Sequence, residues 1–158
     1  MTGTAVRFVD VYVLRDAPAD PAVLVLRRAR GGRSPGTWEA VHGAIESGET
    51  AVQAALRELR EETGLAPARL YNASRVEAFY RHAQDEVALI PVFVALVAAD
   101  AAVRVSAEHD AFEWLAPAAA LARVTWPRMR RALEDSLALF GKGGENRGGL
   151  LDDVLRVC

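Results

Sequence analysis

One segment, Gly43 to Leu65 (GAIESGETAVQAALRELREETGL), constrains this chain more than any other. Its spacing predicts a loop, a helix and a loop. Thr50 stands three residues before Gln53, the capping-box pattern in which each side chain satisfies the other residue's backbone N–H. Val52, Ala55, Leu56 and Leu59 then recur at the spacing of one buried helical stripe. Gly64 stands where a helix end needs a residue free to adopt a positive φ. Off the stripe lie Glu58, Glu61 and Glu62; at about 100° per residue, Glu58 and Glu62 share a face and Glu61 is beside them. Carboxylates are favoured in the first turn of a helix, near the positive end of its dipole, and these three occupy the last two turns. Arg57 and Arg60 offset part of the repulsion. Concentrated oxygen ligands suit a hard divalent cation such as Mg²⁺ or Mn²⁺, which also takes substrate phosphates. The alternative is a solvated face with pairs such as Arg57 to Glu61.

The wider pattern decides between them. Gly43, Glu49, Arg57, Glu58, Leu59, Glu61, Glu62, Gly64 and Leu65 fill every fixed position of G-x5-E-x7-R-E-U-x-E-E-x-G-U, with U a bulky aliphatic residue. On these residues the chain resembles the Nudix hydrolases, from its first strand to the helix after Trp126. The resemblance implies an α/β fold, a mixed sheet in an α/β/α sandwich. It also implies divalent-metal-dependent hydrolysis of a nucleoside diphosphate linked to another group. On this reading Glu58 and Glu62 bind one Mg²⁺ or Mn²⁺ ion, and Glu61 holds a second ion or a water bound to it. Arg57, which keeps its proton, orients the carboxylates, and Glu49 is an architectural partner.

Outside that segment, Glu108, His109 and Trp114 form Glu-His-x-x-x-x-Trp, followed by APAAALARVTW. With Val41-x-Gly43, these residues resemble bacterial dihydroneopterin triphosphate pyrophosphatases, also described as dATP pyrophosphohydrolases. The resemblance implies Glu108 as a further metal ligand or catalytic base, His109 as structural, and a Thr125 hydroxyl near the substrate. Glu61 and Glu62 are the candidates for the base within the segment. The substrate expected is a nucleoside triphosphate or related triphosphate, of the dATP or dihydroneopterin triphosphate type, cleaved to monophosphate and pyrophosphate. Diadenosine polyphosphate hydrolases share a comparable element and give the alternative. A second alternative is a Nudix-fold sensor that binds a nucleotide without cleaving it; the intact acidic triad argues against it.

The remaining chain supplies the frame. Val6 to Arg15 and Val23 to Arg28 read as strands joined by a proline turn at residues 16–21. On a strand Arg27 and Arg28 face opposite sides, and Arg28 is the candidate substrate contact. Trp38 reads as packing, and His42, abutting the segment, as a neutral donor or a cation facing phosphate. Leu70 to His82 is a long strand, residues 81–85 a polar turn, and Val87 to Val97 a buried strand with a bulge or sheet edge at Pro91. A turn at residues 100–104 leads into a short strand, and Phe112, Trp114 and Leu115 lie on a strand that closes the sheet. An Ala-rich short helix follows; Trp126-Pro127 opens a last one, with Met129, Leu133, Leu137 and Phe140 at helical spacing.

Residues 1–141 are expected to form one Nudix domain. Residues 142–158 are expected to be a Gly-rich linker and a short segment, Leu150 to Val157, that caps a partner or the chain's own core. The 158 residues suit one domain with a sizeable core. A net charge of -2 argues against a nucleic-acid partner. One cysteine, no charged leader and no apolar run of about 20 residues point to a cytoplasmic protein without a membrane span. The resemblance implies a small-molecule nucleotide or pterin triphosphate as partner, and the assembly expected is a monomer or homodimer.

Overall fold

The computed structural model describes residues 1–17, 21–141 and 150–158. Its sheet contains eight strands: β1 (Gly3–Val6), β2 (Phe8–Arg15), β3 (Val23–Arg28), β4 (Trp38–Glu39), β5 (Val41–Ala44), β6 (Arg69–Arg81), β7 (Glu86–Val97) and β8 (His109–Leu115). The helices are α1 (Ala51–Thr63), α2 (Pro117–Arg123), α3 (Pro127–Phe140) and α4 (Leu150–Leu155). The sheet is mixed: β7 runs parallel to β1 and β2 along one edge and antiparallel to β6 along the other.

Alternation along β2 assigns the two layers. Val9, Val11 and Val13 point to the face that packs on Ala54, Ala55 and Leu59 of α1. Tyr12 and Leu14 point to the other face, against Ala120 of α2 and Met129, Ala132 and Leu133 of α3. The sheet is therefore sandwiched between helices, as expected from the sequence.

Strands β2 and β3 pair at Leu14 and Val23 and then diverge. Into that wedge run β4, bonded to β3, and β5, bonded to β2 from Phe8–Ala44 to Val11–Val41. Strand β8 lies on the other edge of β3. The wedge places β5, β4 and the ends of β3 and β8 around one opening, and α1 borders it.

Helix α1 follows its sequence signals. Thr50 and Gln53 make both capping-box hydrogen bonds, and Gly64 ends the helix at φ 70° with its N–H on the Arg60 carbonyl. Three other expectations change, and one, at Pro91, is narrowed. The first strand breaks at Arg7 into β1 and β2, and the sequence reading missed β4 and β5. Of the bulge or edge expected at Pro91, the structure has the irregularity: Pro91 lies inside the sheet, paired with Val76 beside a register slip in β6, and the break at Arg7 borders the same stretch of β7. The short strand after residue 100 is absent. That stretch instead caps the end of α1, with Arg104 N–H on the Thr63 carbonyl (2.8 Å) and Ser106 N–H on that of Glu62 (3.2 Å).

Part of the proline turn, residues 18–20, and the Gly-rich stretch, residues 142–149, lie outside the described residues. The C-terminal segment packs on its own sheet. Leu70 of β6 accepts from Val157 N–H at 2.8 Å and donates to the Cys158 carbonyl at 3.0 Å, while Tyr71 donates its hydroxyl to Asp152.

Candidate active site

At the opening of the wedge lies a cavity of about 300 Å³, lined among others by Glu58, Glu62, Glu108, Arg28, His42 and Gly43. Helix α1 supplies one wall. Its buried stripe fixes the rotation that turns Glu58 and Glu62 inward, one turn apart. Glu61 lies outside this cavity's lining, on the exposed shoulder of the helix. Gly43 makes room for the first carboxylate: a Cβ there would overlap the Glu58 carboxylate group.

Arg57 is the organiser of this wall. Its Nε and Nη2 grip the two oxygens of Glu49 (2.7 and 3.0 Å), and Nη2 also donates to the Ala44 carbonyl (2.8 Å). Its Nη1 reaches Glu58 (2.8 Å) and Glu61 (3.1 Å). One guanidinium thus ties the loop before α1 to two of its carboxylates. The Glu49 hydrogen bond, the largest influence, raises the guanidinium further above its ordinary pKa.

The opposite wall is Glu108, in the turn just before β8, held by Arg28 Nη1 at 2.9 Å. Arg28 is buried; it also approaches Glu39 at 3.5 Å and donates Nε to the Arg33 carbonyl. Arg27, on the other side of β3, pairs with Asp110. His109 is wholly buried against Glu39 (3.3 Å), a structural position. Thr125 lines neither described cavity: its hydroxyl accepts from Trp38 N–H at 2.9 Å, pinning the start of β4.

The electrostatics concentrate on Glu62. Burial first, then the charges of Glu58, Glu39 and Glu108, push its carboxyl up to about 9, and its Oε2 is buried without a hydrogen-bond partner among the described residues. Burial also raises Glu58, against the pull of Arg57. Among the described residues no three side chains already stand in coordinating geometry, and arginines hold Glu58, Glu61 and Glu108. An unpaired buried carboxylate oxygen beside two further carboxylates is nonetheless the donor set a hard divalent cation requires, and such an ion would remove the cost of charging Glu62. The residues fit the group.

Three residues near the opening escaped the sequence reading. Asp10, fully buried in β2, bonds His42 Nδ1 at 2.6 Å and also Arg128 of α3. Burial pushes its carboxyl up, but His42 and Arg128 outweigh this and hold it below the ordinary aspartate value. Glu39 is the third. Asp10 carried a signal, since it interrupts the otherwise apolar run Phe8-Val9-x-Val11-Tyr12-Val13-Leu14. Glu39 and Arg128 carried none, because their orientation depends on the wedge.

The NUDIX domain pattern matches residues 6–136, spanning every element of this opening. The chain belongs to the Nudix family. Nudix hydrolases act on pyrophosphate bonds and generally use divalent metal ions. A similar protein is an octanoyltransferase of Myxococcus xanthus, 36% identical over 141 residues, 84% of this chain. The chain spans only 37% of that relative's length. The dihydroneopterin triphosphate diphosphatase of Escherichia coli K12 is 32% identical over 140 residues, covering 81% of this chain and 91% of the relative. Among solved structures, a Caenorhabditis elegans Ap4A hydrolase binary complex superposes with a TM-score of 0.71 at 21% identity, covering 85% of this chain and 97% of the other, a likeness of fold. Among the described residues no helix is long and apolar enough to cross a membrane.

Proposed function

We propose that this Nudix protein is a divalent-cation-dependent pyrophosphohydrolase that cleaves a nucleoside triphosphate or related triphosphate, of the dATP or dihydroneopterin triphosphate type, to monophosphate and pyrophosphate. The observation that carries the reading is the convergence of Glu58, Glu62 and Glu108 from two elements on one cavity, with Glu62 Oε2 unpaired. Mg²⁺ or Mn²⁺ held by Glu58, Glu62 and Glu108, with Glu61 at the outer edge, would neutralise phosphate charge and activate water.

The chain's own groups do the rest. Arg57 keeps Glu58 and Glu61 in place through its hold on Glu49. Arg28 and His42 line the cavity as donors to phosphate oxygens, the guanidinium through Nη2, since Nε and Nη1 are engaged by Arg33 and Glu108, and the imidazole through a single N–H. Glu108, the most solvent-accessible carboxylate of the cavity at 61% exposure, is the base that takes the proton from the attacking water. Glu62 supplies charge rather than a free base, since without a cation its carboxyl stays protonated near neutral pH. Thr125 acts indirectly, by anchoring the strand that carries Glu39.

The name of the 32%-identical relative favours this substrate type over diadenosine polyphosphates. The retained carboxylates favour a hydrolase over a nucleotide sensor. The test is pyrophosphate and phosphate release with Mg²⁺ from dATP, dihydroneopterin triphosphate, diadenosine tetraphosphate and a nucleotide sugar. Preferential pyrophosphate release from a triphosphate supports the reading, and binding without turnover of any of the four overturns it.

A further inference from the structure

A second cavity, of about 350 Å³, opens beside the first and shares His42 and Arg33 with it. Phe79 of β6 and Trp126, Pro127 and Met129 at the start of α3 give it apolar walls; Glu39 and Arg128 bring charge. Arg128 is the decisive group. One of its nitrogens, Nη1, donates to Asp10, whose carboxylate is fully buried and also anchored by His42. Among the described residues nothing else accepts a hydrogen bond from Arg128. A planar fork of N–H groups, fixed from behind by a buried carboxylate, is therefore left for whatever enters the cavity it lines.

Aromatic walls suit a flat ring system, and a volume of this size is ample for a bicyclic heterocycle. The fork adds a chemical choice. A guanidinium pairs two-fold with a carbonyl oxygen beside a ring nitrogen, the edge that guanine presents with O6 and N7 and that a pterin presents with its own oxo group and neighbouring nitrogen. Adenine puts an amino group where that oxygen would be, so donor would face donor.

We infer that this cavity receives the heterocyclic end of the substrate and that Arg128, held by Asp10, selects an oxo-heterocycle of the guanine or pterin type over adenine. The inference rests on the hydrolase reading above, since the triphosphate must then lie in the neighbouring cavity, and it narrows that reading to the pterin type, because dATP carries the disfavoured adenine ring. Asp10 is a positioning residue, acting through Arg128 and His42.

Calorimetric binding of dGMP, pterin and dAMP to the full chain tests the choice without requiring turnover. A two-fold hydrogen-bond pair is worth roughly 5- to 150-fold in discrimination. The expected result is dGMP and pterin binding tighter than dAMP within that range, with Arg128→Lys, which keeps a charge on Asp10 but loses the fork, bringing the ratio close to one. Arg128→Met, checked by thermal melting, gives the same loss if it folds; if it does not, Arg128→Lys alone decides. Equal binding of dGMP and dAMP by the natural chain, or an unchanged ratio in folded Arg128→Lys, overturns the inference. A correct ratio in a protein that hydrolyses no triphosphate supports the pocket and sinks the hydrolase reading instead.

Discussion

Replacing Gly43 by alanine should disable the site while sparing the fold. A Cβ at residue 43 would stand 1.9 Å from Glu58 Cδ, against the roughly 3.5 Å that two carbons need. The carboxylate must retreat by roughly 1.5 Å or swing out of the cavity altogether. The backbone has less freedom to yield, because Gly43 is paired with Val9 inside the sheet. Retreat also strains the 2.8 Å bond from Arg57. Misplacement of a reacting or ligating group by about 1 Å can cost on the order of 100-fold in rate. The loss of stability should be small, since burial already disfavours the Glu58 charge and the clash is with the end of a flexible side chain. We expect pyrophosphate release at saturating Mg²⁺ to fall by about 100-fold, with the melting temperature lowered by no more than about 4 °C. Gly3→Ala, where a Cβ would meet nothing within 4 Å, is the control. A folded Gly43→Ala protein turning over within about threefold of the natural rate would refute the reasoning, because Glu58 would then not need the place that Gly43 leaves. So would a melting temperature lowered by about 10 °C or more, because the strand would have moved in place of the carboxylate.

Glu108→Gln should lower kcat and flatten the acid limb of the pH–rate profile while the protein stays folded; unchanged kcat and unchanged Mg²⁺ dependence would remove Glu108 from the chemistry and favour Glu61 as the base. Asp10 makes stability pH-dependent with a definite sign: its folded pKa lies below the ordinary value of 3.8, so its contribution is present above that pH and disappears as pH falls through the folded value. Denaturation midpoints of the natural chain and Asp10→Asn should accordingly keep their separation above about pH 4 and converge only as pH falls further below 3.8, and convergence already complete above about pH 4 would contradict the assignment. Truncation after Gly141 removes the backbone hydrogen bonds that Val157 and Cys158 make with Leu70 and the Tyr71–Asp152 contact, so it should lower the melting temperature by a few degrees and leave turnover intact; loss of turnover would make the C-terminal segment part of the working domain.

The legible part of this protein was local. Thr50, Gln53 and Gly64 bound α1 by side-chain and backbone rules that act within one turn, and the stripe ending at Leu59 fixed which carboxylates face inward. Glu108 was reachable only by resemblance, since nothing near it in sequence tells that β8 lies beside β3 and delivers it opposite α1. Long-range geometry hid the rest. β4 and β5 are too short to show an alternating pattern, yet they carry Glu39 and His42. Pro91 announced a bulge or an edge without telling which: the register slip beside Val76 and the break at Arg7 keep it inside the sheet. The stretch after residue 100 satisfies helix-end carbonyls, not another strand, and no periodicity announces that. Arg128 gains its meaning from a buried aspartate 118 positions away.

Glu62, buried with its Oε2 unpartnered among the described residues, is what makes this cavity the proposed cation-dependent pyrophosphohydrolase site. The most direct measurement is pyrophosphate release against Mg²⁺ and Mn²⁺ concentration for the natural chain and for Glu62→Gln, which preserves shape and removes charge. The account predicts no release without a divalent cation, saturable release with one, and a loss on the order of 100-fold or more in the folded variant. Near-natural turnover by folded Glu62→Gln at saturating Mg²⁺, or full activity of the natural chain in the presence of a chelator, would contradict it.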